Sequence, residues 1–457
     1  MSLPDSLISA LRGIFGGARV VDPAECLAYC YDNSRRQAQP DAVVFPIEHA
    51  QVVQLVRACR AARTPLIARG RGTNTTGATV PIGGGVVVSF ERMNHIVRID
   101  TDNRLAVVEP GVLNGDLQTA LAERGFFWPP DPTSSPYCTI GGNLACNAAG
   151  PRAVKYGSCR ENTLALRAVT GAGEELRCGV NTTKGAVGYD LTRLLIGAEG
   201  TLAVITQATL KLTPKPAAKA TLAASYADVV TATAAVARLM AQPVVPCALE
   251  FMDDKALRLA RAHAGDAIPE AGALLIVEAD GDASDLPHAI DALAAAARGA
   301  GLIALHTAAD AREAETLWAA RRALSPALRT ISPDKINEDV VVPVSRLPEL
   351  IATLRGIARK HAIPIVNFGH AGNGNIHVNL LPRDAQERAR AENALPEVFA
   401  AVLELGGTLS GEHGIGLAKR DFLTRALDPA ALALMRRIKA QFDPDGILNP
   451  GKLLPPA

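Results

Sequence analysis

The sequence contains no Cys-x-x-C pair, the spacing by which iron–sulfur clusters and zinc ribbons are usually held. Its eight cysteines are Cys26, Cys30, Cys59, Cys138, Cys146, Cys159, Cys178 and Cys247. Because they are scattered and no secretory signal is recognised, they are typical of small buried side chains in a reducing compartment. A cysteine-ligated metal cluster is therefore not expected.

The sequence also lacks an excess of one sign of charge. Lys and Arg number 47 and Asp and Glu number 46, which leaves a formal net charge of +1. Proteins that neutralise nucleic-acid phosphates are usually strongly basic, so no nucleic-acid partner is expected. A local basic pocket stays compatible with this balance, because net charge does not describe a single cleft.

A secretory signal and a membrane-spanning run are not expected either. Near the N-terminus, Leu7, Ile8, Leu11 and Phe15 lie at helical spacing, which predicts an amphipathic helix instead of a signal peptide. No apolar stretch is long enough to cross a bilayer as a helix. The expected location is cytoplasmic, with peripheral membrane contact left open.

The chain has 457 residues, too many for one ordinary core, so two or three structural units are expected. Its first part alternates strand and helix patterns and includes a β-α-β unit over residues 41–68. After a proline-rich boundary, alanine-rich helices alternate with strands, which predicts a ferredoxin-like antiparallel sheet with helices on one face. The predicted class is α+β, with a closing helical segment, and the predicted units are residues 1–216, 217–425 and 426–457.

The segment after this β-α-β unit is rich in glycine and threonine. It reads Ala68-Arg-Gly-Arg-Gly-Thr-Asn-Thr-Thr-Gly77. Glycine permits the left-handed dihedrals that point several backbone N–H groups at one anion, and the hydroxyl and amide side chains add donors. The segment predicts a pyrophosphate-binding loop, although its spacing matches neither the Rossmann fingerprint nor Walker A.

Two further glycine-rich segments follow. They read Thr139-Ile-Gly-Gly-Asn-Leu-Ala-Cys-Asn-Ala-Ala-Gly150 and Ile196-Gly-Ala-Glu-Gly-Thr-Leu-Ala-Val-Ile205. Positions without bulk are needed where a flat ring lies close to the backbone. Three such segments within residues 68–205 are hard to explain as ordinary turns alone.

In this order the three segments, with Arg193 and the stretch closing at Pro214, resemble the FAD domain of the vanillyl-alcohol oxidase/p-cresol methylhydroxylase superfamily. The resemblance implies a two-part FAD-binding domain, with the pyrophosphate on the first loop and the isoalloxazine flanked by the later segments. Some members attach FAD through His or Cys, and because the first loop has neither, non-covalent FAD is implied. The residues implied to bind FAD are Arg69, Gly70, Arg71, Gly72, Thr73, Asn74, Thr76, Gly77, Pro130, Thr133, Thr139, Gly141, Gly142, Asn143, Asn147, Gly150, Glu199, Gly200, Val204, Ile205 and Asn449.

Two other glycine-rich segments hold three of the nine histidines. The first, Asn367-Phe-Gly-His-Ala-Gly-Asn-Gly-Asn-Ile-His-Val-Asn379, predicts a hairpin that turns at residues 371–375. The second reads Ser410-Gly-Glu-His-Gly-Ile-Gly416. Two histidines on paired strands can converge on one metal, and two histidines with a glutamate and open positions are typical of a catalytic metal site.

These two motifs resemble the cap domain of D-2-hydroxy-acid dehydrogenases, a group that includes flavoproteins oxidising D-lactate, D-2-hydroxyglutarate and glycolate. Residues 442–452 match the C-terminus of that group, so the resemblance covers essentially the whole chain. It implies that His370, His377 and Glu412 hold one divalent metal, zinc or manganese. It also implies that His413 is the catalytic base.

Four residues are candidates for binding the substrate. Arg321 resembles the family's substrate arginine, and the alternative is a charge on a solvated helix face beside Arg322. Ser325 and Lys335 are weaker candidates, and Asn379 is implied to lie near the substrate. The lysine that grips a second carboxylate in some members does not align cleanly with Lys335.

The preferred hypothesis is metal-assisted, FAD-dependent oxidation of a D-2-hydroxy acid, D-2-hydroxyglutarate or D-lactate, with hydride transfer to flavin N5. One alternative is a glycolate-oxidase-type flavin subunit that depends on a partner. Another is a metal-dependent hydrolase whose glycine loops bind a nucleotide. The sequence leaves open the electron acceptor, for which an electron-transfer flavoprotein, a quinone, a cytochrome and oxygen are candidates. A homodimer is a base-rate expectation only.

Overall fold

A computed structural model describes residues 3–16, 20–21, 23–265 and 268–456. The chain divides into two compact units. The first unit consists of Met1–Ala149, Gly157–Lys215 and Glu412–Ala457, and the second consists of Gly150–Tyr156 and Pro216–Gly411. In sequence, the second unit is therefore inserted into the first.

The first half of the first unit is a small sheet with helices. Its elements are α1 (Asp5–Phe15), β1 (Val20–Val21), a 3-10 helix (Pro23–Tyr29), β2 (Ala42–Val44), α2 (His49–Ala61), β3 (Leu66–Arg69) and β4 (Val86–Ser89). The strand order is β1-β2-β4-β3, and β4 runs parallel to both β2 and β3. Leu7, Leu11 and Phe15 of α1 are buried, as their helical spacing predicts. The predicted β-α-β unit that leads into the first glycine segment is thus confirmed.

The second half of the first unit is an antiparallel sheet. The elements over this stretch are β5 (Ile96–Asp100), β6 (Leu105–Val108), α3 (Asn114–Ala122), β7 (Phe126–Phe127), α4 (Ile140–Cys146), α5 (Ala153–Tyr156, part of the second unit), β8 (Thr163–Thr170), β9 (Glu175–Gly179), α6 (Leu191–Leu195), β10 (Ala203–Lys211) and β11 (Thr213–Pro214). The main sheet has the order β5-β6-β10-β8-β9. Its core joins Leu117 of α3 and Leu144 of α4 to Leu166 and Leu210 of the sheet. This packing fixes α4, which carries the second glycine segment.

The second unit is built on one large sheet. Its elements after α5 are β12 (Ala218–Tyr226), α7 (Val229–Ala241), β13 (Ala248–Asp253), α8 (Asp254–Ala264), β14 (Ala273–Gly281), α9 (Leu286–Ala297), β15 (Leu302–Thr307), α10 (Ala311–Ile331), β16 (Ile336–Val341), α11 (Leu347–Lys360), β17 (Ile365–His370), β18 (Asn375–Leu380) and α12 (Ala385–Glu404).

The sheet of the second unit has seven strands in the order β15-β12-β14-β13-β17-β18-β16. Every neighbouring pair is antiparallel. The first four strands, with α7 and α9 as crossovers, have the ferredoxin-like order that the alternating pattern predicts. Three more strands extend this sheet, and they carry the histidine hairpin.

Helices cover both faces of this sheet, so the prediction of helices on one face was wrong. Residues of α8 and α10 share a core with alternate strand residues such as Met252, Ile276 and Phe368. The intervening strand residues, including Phe251 and Leu275, point to the opposite face, where α7, α9 and α11 pack. The helices on the second face are α8 and α10, which follow β13 and β15 in sequence.

The C-terminal segment returns to the first unit. Its elements are a 3-10 helix (Arg420–Phe422), α13 (Leu423–Ala426) and α14 (Pro429–Phe442). Beyond α14, the Asn449 N–H donates to Leu66 O at 2.9 Å, and this bond places the segment beside β3. The α+β class and the closing helix agree with the sequence prediction.

The structure begins the return at Glu412, earlier than the predicted boundary at residue 426. The reason is local, because the backbone N–H groups of Leu417 and Ala418 both donate to Thr76 O in the first glycine segment. The short excursion Gly150–Tyr156 into the second unit had no signal in the sequence. Across the described residues, no helix combines the length and apolar character that a membrane crossing needs.

The turn between β17 and β18 requires a glycine. Gly374 has a φ angle of +72°, and a Cβ there would lie 1.9 Å from the backbone oxygen of Val342. We expect Gly374→Ala to lower the free energy of unfolding by at least about 1 kcal/mol, because strained backbone and a backbone clash combine. Chemical or thermal unfolding of the full chain measures this loss.

Gly356 in α11 provides the matched control, because its Cβ position has no heavy atom within 4 Å and its φ angle is not positive. We expect Gly356→Ala to be neutral or to stabilise by roughly 0.5–1 kcal/mol, as alanine does inside a helix. Equal stability of the two variants would show that the turn tolerates a side chain.

Candidate active site

The first glycine segment turns back on itself after β3. Gly72 and Gly77 have φ angles of +66° and +81°, which favour glycine. A Cβ at Gly70 would lie 2.3 Å from Oγ1 of Thr139 in the second glycine segment. The two segments therefore approach each other more closely than side chains would allow.

The two arginines of this segment have different environments. Arg69 is buried and donates from Nη1 to Oγ1 of Thr79 at 3.3 Å and from Nη2 to Ala28 O at 3.2 Å. Arg71 is half exposed and forms an ion pair with Glu91 at 3.6 Å. Arg69 thus stabilises the segment through hydrogen bonds to neighbouring residues of the protein. A role of either guanidinium in binding FAD stays a prediction.

Asn74 organises the centre of the segment. Its Oδ1 accepts from the backbone N–H of Thr76 at 2.8 Å and from Oγ1 of Thr76 at 2.7 Å. Its Nδ2 donates to the backbone oxygen of His413 at 2.9 Å. One side chain therefore shapes the predicted pyrophosphate loop and joins it to the turn that carries the predicted base.

The second glycine segment forms the start of α4. Thr139 caps this helix, because its Oγ1 accepts from the backbone N–H of Gly142 at 3.2 Å. A Cβ at Gly141 would lie 2.7 Å from Cβ of Pro110. Asn143 is only 2% exposed, and its Nδ2 has no hydrogen-bond partner. A buried donor without a partner costs about 1–3 kcal/mol, so an acceptor atom of a cofactor would be favourable here.

The third glycine segment contains a buried carboxylate, Glu199. Its Oε1 accepts from the N–H of Ile415 at 2.6 Å and its Oε2 from the N–H of Gly416 at 2.8 Å. Burial raises the pKa of Glu199 to about 7, although these two donors and nearby lysines lower it. Glu199 therefore positions the turn at residues 412–416, and no contact of its carboxylate singles out a cofactor.

Asn449 connects the C-terminal segment to the third glycine segment and to the residue that follows the first. Its Nδ2 donates to Ala78 O at 2.9 Å and to Glu199 O at 2.7 Å, and its Oδ1 accepts from Nζ of Lys452 at 2.9 Å. Burial lowers the pKa of Lys452 to about 8. The residues that make these contacts, Asn449 and Lys452, thus lie in the stretch 442–452 whose sequence resembles the family's C-terminus.

The other residues predicted to bind FAD are more scattered. The backbone oxygen of Pro130 accepts from Nδ2 of Asn114 at 3.0 Å, and Thr133 is exposed. Asn147 has a φ angle of +52°, and Gly150 belongs to the second unit. Thr73 is half-buried beside Asn74, Gly200 follows Glu199 with a φ angle of +69°, and Val204 and Ile205 lie on β10.

In the second unit, the histidine hairpin forms as predicted. His370 ends β17 and His377 lies in β18, and both side chains are buried. Their Nε2 atoms are 3.4 Å apart, and their rings meet edge to face with centroids at 5.1 Å. The pairing of the two strands therefore brings both imidazoles to one point.

Glu250 of β13 contacts the histidine pair and was not predicted from the sequence. Its Oε1 lies 2.5 Å from Nδ1 of His370, and its Oε2 lies 2.7 Å from Nη2 of Arg321. Burial alone would raise the pKa of Glu250, but the neighbouring His370 and Arg321 outweigh it and hold the pKa below its ordinary value. The signal in the sequence was an acidic residue between the apolar residues Leu249 and Phe251 of β13.

Arg321 is buried, so the alternative of a solvated helix face is wrong for this residue. Its guanidinium carbon lies 4.6 Å from the ring centroid of Phe368. Its Nε is among the buried atoms without a hydrogen-bond partner. One donor of Arg321 thus remains available for a ligand within the second unit.

The other three substrate candidates form one cluster. Nζ of Lys335 lies 3.2 Å from Oγ of Ser325 and 3.3 Å from Oδ1 of Asn379. Burial, with a smaller contribution from Arg329, lowers the pKa of Lys335 to about 8. The hydrogen-bond partners of this ammonium are neutral oxygens, so an anion bound beside it would compensate its charge.

Glu412 and His413 lie at the start of the returning segment in the first unit. Nε2 of His413 is 3.8 Å from Oε1 of Glu412. Gly411, which precedes Glu412 in sequence, donates its N–H to Oδ2 of Asp339 at 2.9 Å, and Oγ of Ser410 donates to the same oxygen at 2.9 Å. Asp339 therefore fixes the stretch that leads into the glutamate–histidine motif.

The histidine pair fits a metal ion by distance and by chemistry. Two nitrogen ligands of a tetrahedral zinc, each about 2.0–2.1 Å from the ion, lie about 3.3–3.4 Å apart. The two Nε2 atoms are separated by 3.4 Å. A carboxylate bound to the other nitrogen of His370 is the usual support of a ligating histidine.

Comparison with known proteins identifies the family. A family model described as FAD linked oxidases, C-terminal domain, matches residues 215–453, a little over half of the chain. A second, described as FAD binding domain, matches residues 40–179. The chain belongs to the FAD-linked oxidase family and is a FAD-linked oxidoreductase.

Relatives with known names match nearly the whole chain. A glycolate oxidase subunit GlcD of Bacillus subtilis is 39% identical over 93% of this chain and 92% of its own length. A D-2-hydroxyglutarate dehydrogenase of Stutzerimonas stutzeri is 32% identical over 98% of both chains. The alternative of a metal-dependent hydrolase is set aside, because both family models describe FAD-linked proteins.

The fold also matches a solved structure. A crystal structure of p-cresol methylhydroxylase with substrate bound has a TM-score of 0.81 at 17% identity, over 98% of this chain and 96% of that one. At this identity the likeness concerns the fold alone. It confirms the p-cresol methylhydroxylase type of FAD-binding fold that the three glycine segments predict.

Proposed function

We propose that this chain oxidises a D-2-hydroxy acid to the 2-oxo acid, with D-2-hydroxyglutarate and D-lactate as the expected substrates. The observation that carries the proposal is the pair of Nε2 atoms of His370 and His377, 3.4 Å apart in a FAD-linked oxidoreductase. The names of the relatives support it, since one is a glycolate oxidase subunit and another a D-2-hydroxyglutarate dehydrogenase. These substrates share the same reacting end.

FAD is proposed to bind without a covalent bond. The first glycine segment contains neither His nor Cys. Of the two cysteines in or next to the second segment, burial raises the pKa of Cys138 to about 11 and raises that of Cys146 further above its ordinary value. Because the thiolate is the nucleophile, both thiols are poor candidates for attachment. When bound, FAD supplies the hydride acceptor, N5 of its ring.

His370, His377 and Glu412 are the proposed ligands of one divalent metal, zinc or manganese. Glu412 is included because its sequence motif resembles that of the family. When bound, such a metal would lower the pKa of the substrate hydroxyl. Glu250 contacts Nδ1 of His370, and Nε2 of His370 lies 3.4 Å from Nε2 of His377. The two histidines are therefore preorganised to bind one metal.

His413 is proposed as the base that accepts the hydroxyl proton. Histidine is the side chain that most often serves as a general base. The bond from Nδ2 of Asn74 to the backbone oxygen of His413 and the two bonds from Ile415 and Gly416 to Glu199 hold its turn in place. The ring is therefore carried by a fixed backbone.

The substrate carboxylate is proposed to bind Lys335 and Arg321, with Ser325 and Asn379 as neutral partners. Glu250 already compensates the charge of Arg321, whereas Lys335 contacts neutral oxygens. Lys335 is therefore proposed as the main cation for the carboxylate. The Nε donor of Arg321 can add one directed hydrogen bond.

A second candidate is a flavin subunit that works only with a partner. It is favoured by one observation, the name of the Bacillus subtilis relative, which is a subunit of glycolate oxidase. Under this proposal the electrons pass from the flavin to a partner, an electron-transfer flavoprotein, a quinone or a cytochrome. Reduction of the flavin by the substrate would be the same in both candidates.

An anaerobic absorbance titration of the purified protein tests the proposed function. We expect D-2-hydroxyglutarate or D-lactate to bleach the oxidised flavin band, and the L-enantiomers to leave it unchanged. Exhaustive chelation should abolish bleaching and preserve the flavin spectrum, because the metal acts on the hydroxyl. A protein with bound flavin that no 2-hydroxy acid reduces would refute the proposal. Reduction that persists without any bound metal would remove the metal from it.

His413→Ala tests the proposed base. We expect the variant to keep FAD and to reduce it about 10²–10⁴-fold more slowly, the usual contribution of a general base. Stopped-flow measurement of flavin reduction gives the rate. His95→Ala is the control, because His95 is an exposed histidine of the same unit that pairs with Glu109. An unchanged rate in His413→Ala would exclude this role.

The low pKa of Lys335 predicts a pH dependence of substrate binding. Below about pH 8 the amine carries its charge, and above it the neutral amine attracts a carboxylate less. We therefore expect KM to rise as the pH increases through about 8. In Lys335→Met, KM should be about 10–100-fold higher and lose this rise, since a hydrogen bond to a charged group contributes about 1.5–3 kcal/mol.

Steady-state kinetics at several pH values around 8 measure this effect. Lys360→Met is the matched control, because Lys360 is an exposed lysine of the same unit that pairs with Glu397. The role of Lys335 is refuted if KM is independent of pH in the wild type, or if Lys335→Met retains the same rise.

A further inference from the structure

Glu250 is a carboxylate in the middle of a strand whose six residues are all buried. Burying such a charge is costly unless partners compensate it. Two partners are present on the face of the sheet that α8 and α10 cover, His370 and Arg321. Both carry proposed roles in the reaction, and they belong to different elements, β17 and α10.

The register of the sheet places Glu250 directly opposite His370. Each carboxylate oxygen takes one partner, with Oε1 at 2.5 Å from Nδ1 of His370 and Oε2 at 2.7 Å from Nη2 of Arg321. One side chain therefore bridges a proposed metal ligand and a proposed carboxylate-binding arginine. Both contacts are present in the structure as it stands.

We infer that Glu250 is a positioning residue that couples metal binding to recognition of the substrate carboxylate, an inference that rests on the proposed function. A carboxylate that accepts a hydrogen bond from Nδ1–H selects the tautomer of His370 in which Nε2 keeps its lone pair. That lone pair then points toward Nε2 of His377. Loss of the carboxylate would free the ring to rotate and would remove negative charge beside the metal.

The same carboxylate fixes Arg321. With Nη2 paired to Glu250 and the guanidinium carbon 4.6 Å from the ring centroid of Phe368, the group is held from two sides. Its Nε remains without a hydrogen-bond partner although Arg321 is only 8% exposed. An arginine held in this way presents a directed donor to an anion without losing further freedom on binding.

A second buried carboxylate of the same sheet shows what a purely structural pairing looks like. Glu278 of β14 accepts from Nζ of Lys219 at 3.2 Å, from Oγ1 of Thr221 at 3.2 Å and from Nε1 of Trp318 at 3.0 Å. None of these partners has a proposed role in the reaction. Glu278 is therefore the matched control for loss of a buried carboxylate.

Glu250→Gln and Glu278→Gln are compared in the FAD-loaded full chain. The zinc dissociation constant is measured by competition with a chromophoric chelator, and kcat and KM are measured alongside. We expect Glu250→Gln to weaken zinc binding by about 10–100-fold, as loss of a supporting partner does, and to raise KM. FAD content should not change. Glu278→Gln should leave zinc affinity and KM at the wild-type values.

Glu250→Asp is the second variant, in case Glu250→Gln does not fold. It keeps the buried charge, but it is one methylene shorter and cannot reach both partners at their present distances. We expect it to weaken zinc binding several-fold or to raise KM, according to the partner that it releases. Wild-type values for both quantities would overturn the inference.

Each other outcome also decides the matter. If Glu250→Gln binds zinc as the wild type does, or weakens zinc binding without a change in KM, the coupling is overturned while the proposed function stands. An equal loss in Glu278→Gln would show a general packing effect and overturn it as well. If the wild type oxidises a D-2-hydroxy acid yet binds neither zinc nor manganese, the metal and the coupling are both refuted, and the proposed reaction is kept.

Discussion

The buried carboxylate of Glu199 is the interaction around which the first unit is organised. Its two oxygens accept from the backbone N–H groups of Ile415 and Gly416, and its own backbone oxygen accepts from Asn449. Three stretches far apart in sequence meet there. A Cβ at Gly414 would lie 2.5 Å from Oε1 of Glu199, so glycine is required beside it. Because a buried carboxyl group needs these donors, the turn that carries His413 has little freedom to move.

The second unit depends on a different constraint, the register of antiparallel strands. Glu250 lies opposite His370 and Asp339 lies opposite His377, so each histidine of the pair has an acidic residue as its cross-strand neighbour. A shift of one residue would turn these side chains to the other face. The glycine turn between β17 and β18 helps to fix that register. The chemistry of the unit therefore depends on the same pairing that stabilises its sheet.

Local features of this chain could be predicted from sequence, whereas pairings between distant segments could not. The β-α-β unit, the ferredoxin-like pattern and the histidine hairpin each lie within a short stretch, where periodicity and turn residues are informative. Glu250 was missed because its role arises from its position opposite His370, 120 residues later in the chain. The contacts of Glu199 with residues 415 and 416 could likewise not be inferred from its own glycine-rich turn, and its role in binding FAD stays a prediction. The ligand roles of His370, His377 and Glu412 stay predictions.

Under the proposed function, the pattern of charge compensation in the second unit would separate recognition of the reacting end from recognition of the rest of the substrate. Glu250 compensates Arg321, and Asp339 accepts from Asn375 and Ser410, whereas Lys335 contacts neutral oxygens. A half-buried ammonium with neutral partners gains most from an added anion, and every 2-hydroxy acid carries a carboxylate. Its contribution is thus shared by all candidate substrates and cannot distinguish them. Discrimination has to come from groups that contact the substrate side chain, where one methylene changes affinity by about 1–3 kcal/mol and a second carboxylate needs a compensating partner of its own. The relatives named for glycolate and for D-2-hydroxyglutarate are named for acids that differ in this side chain.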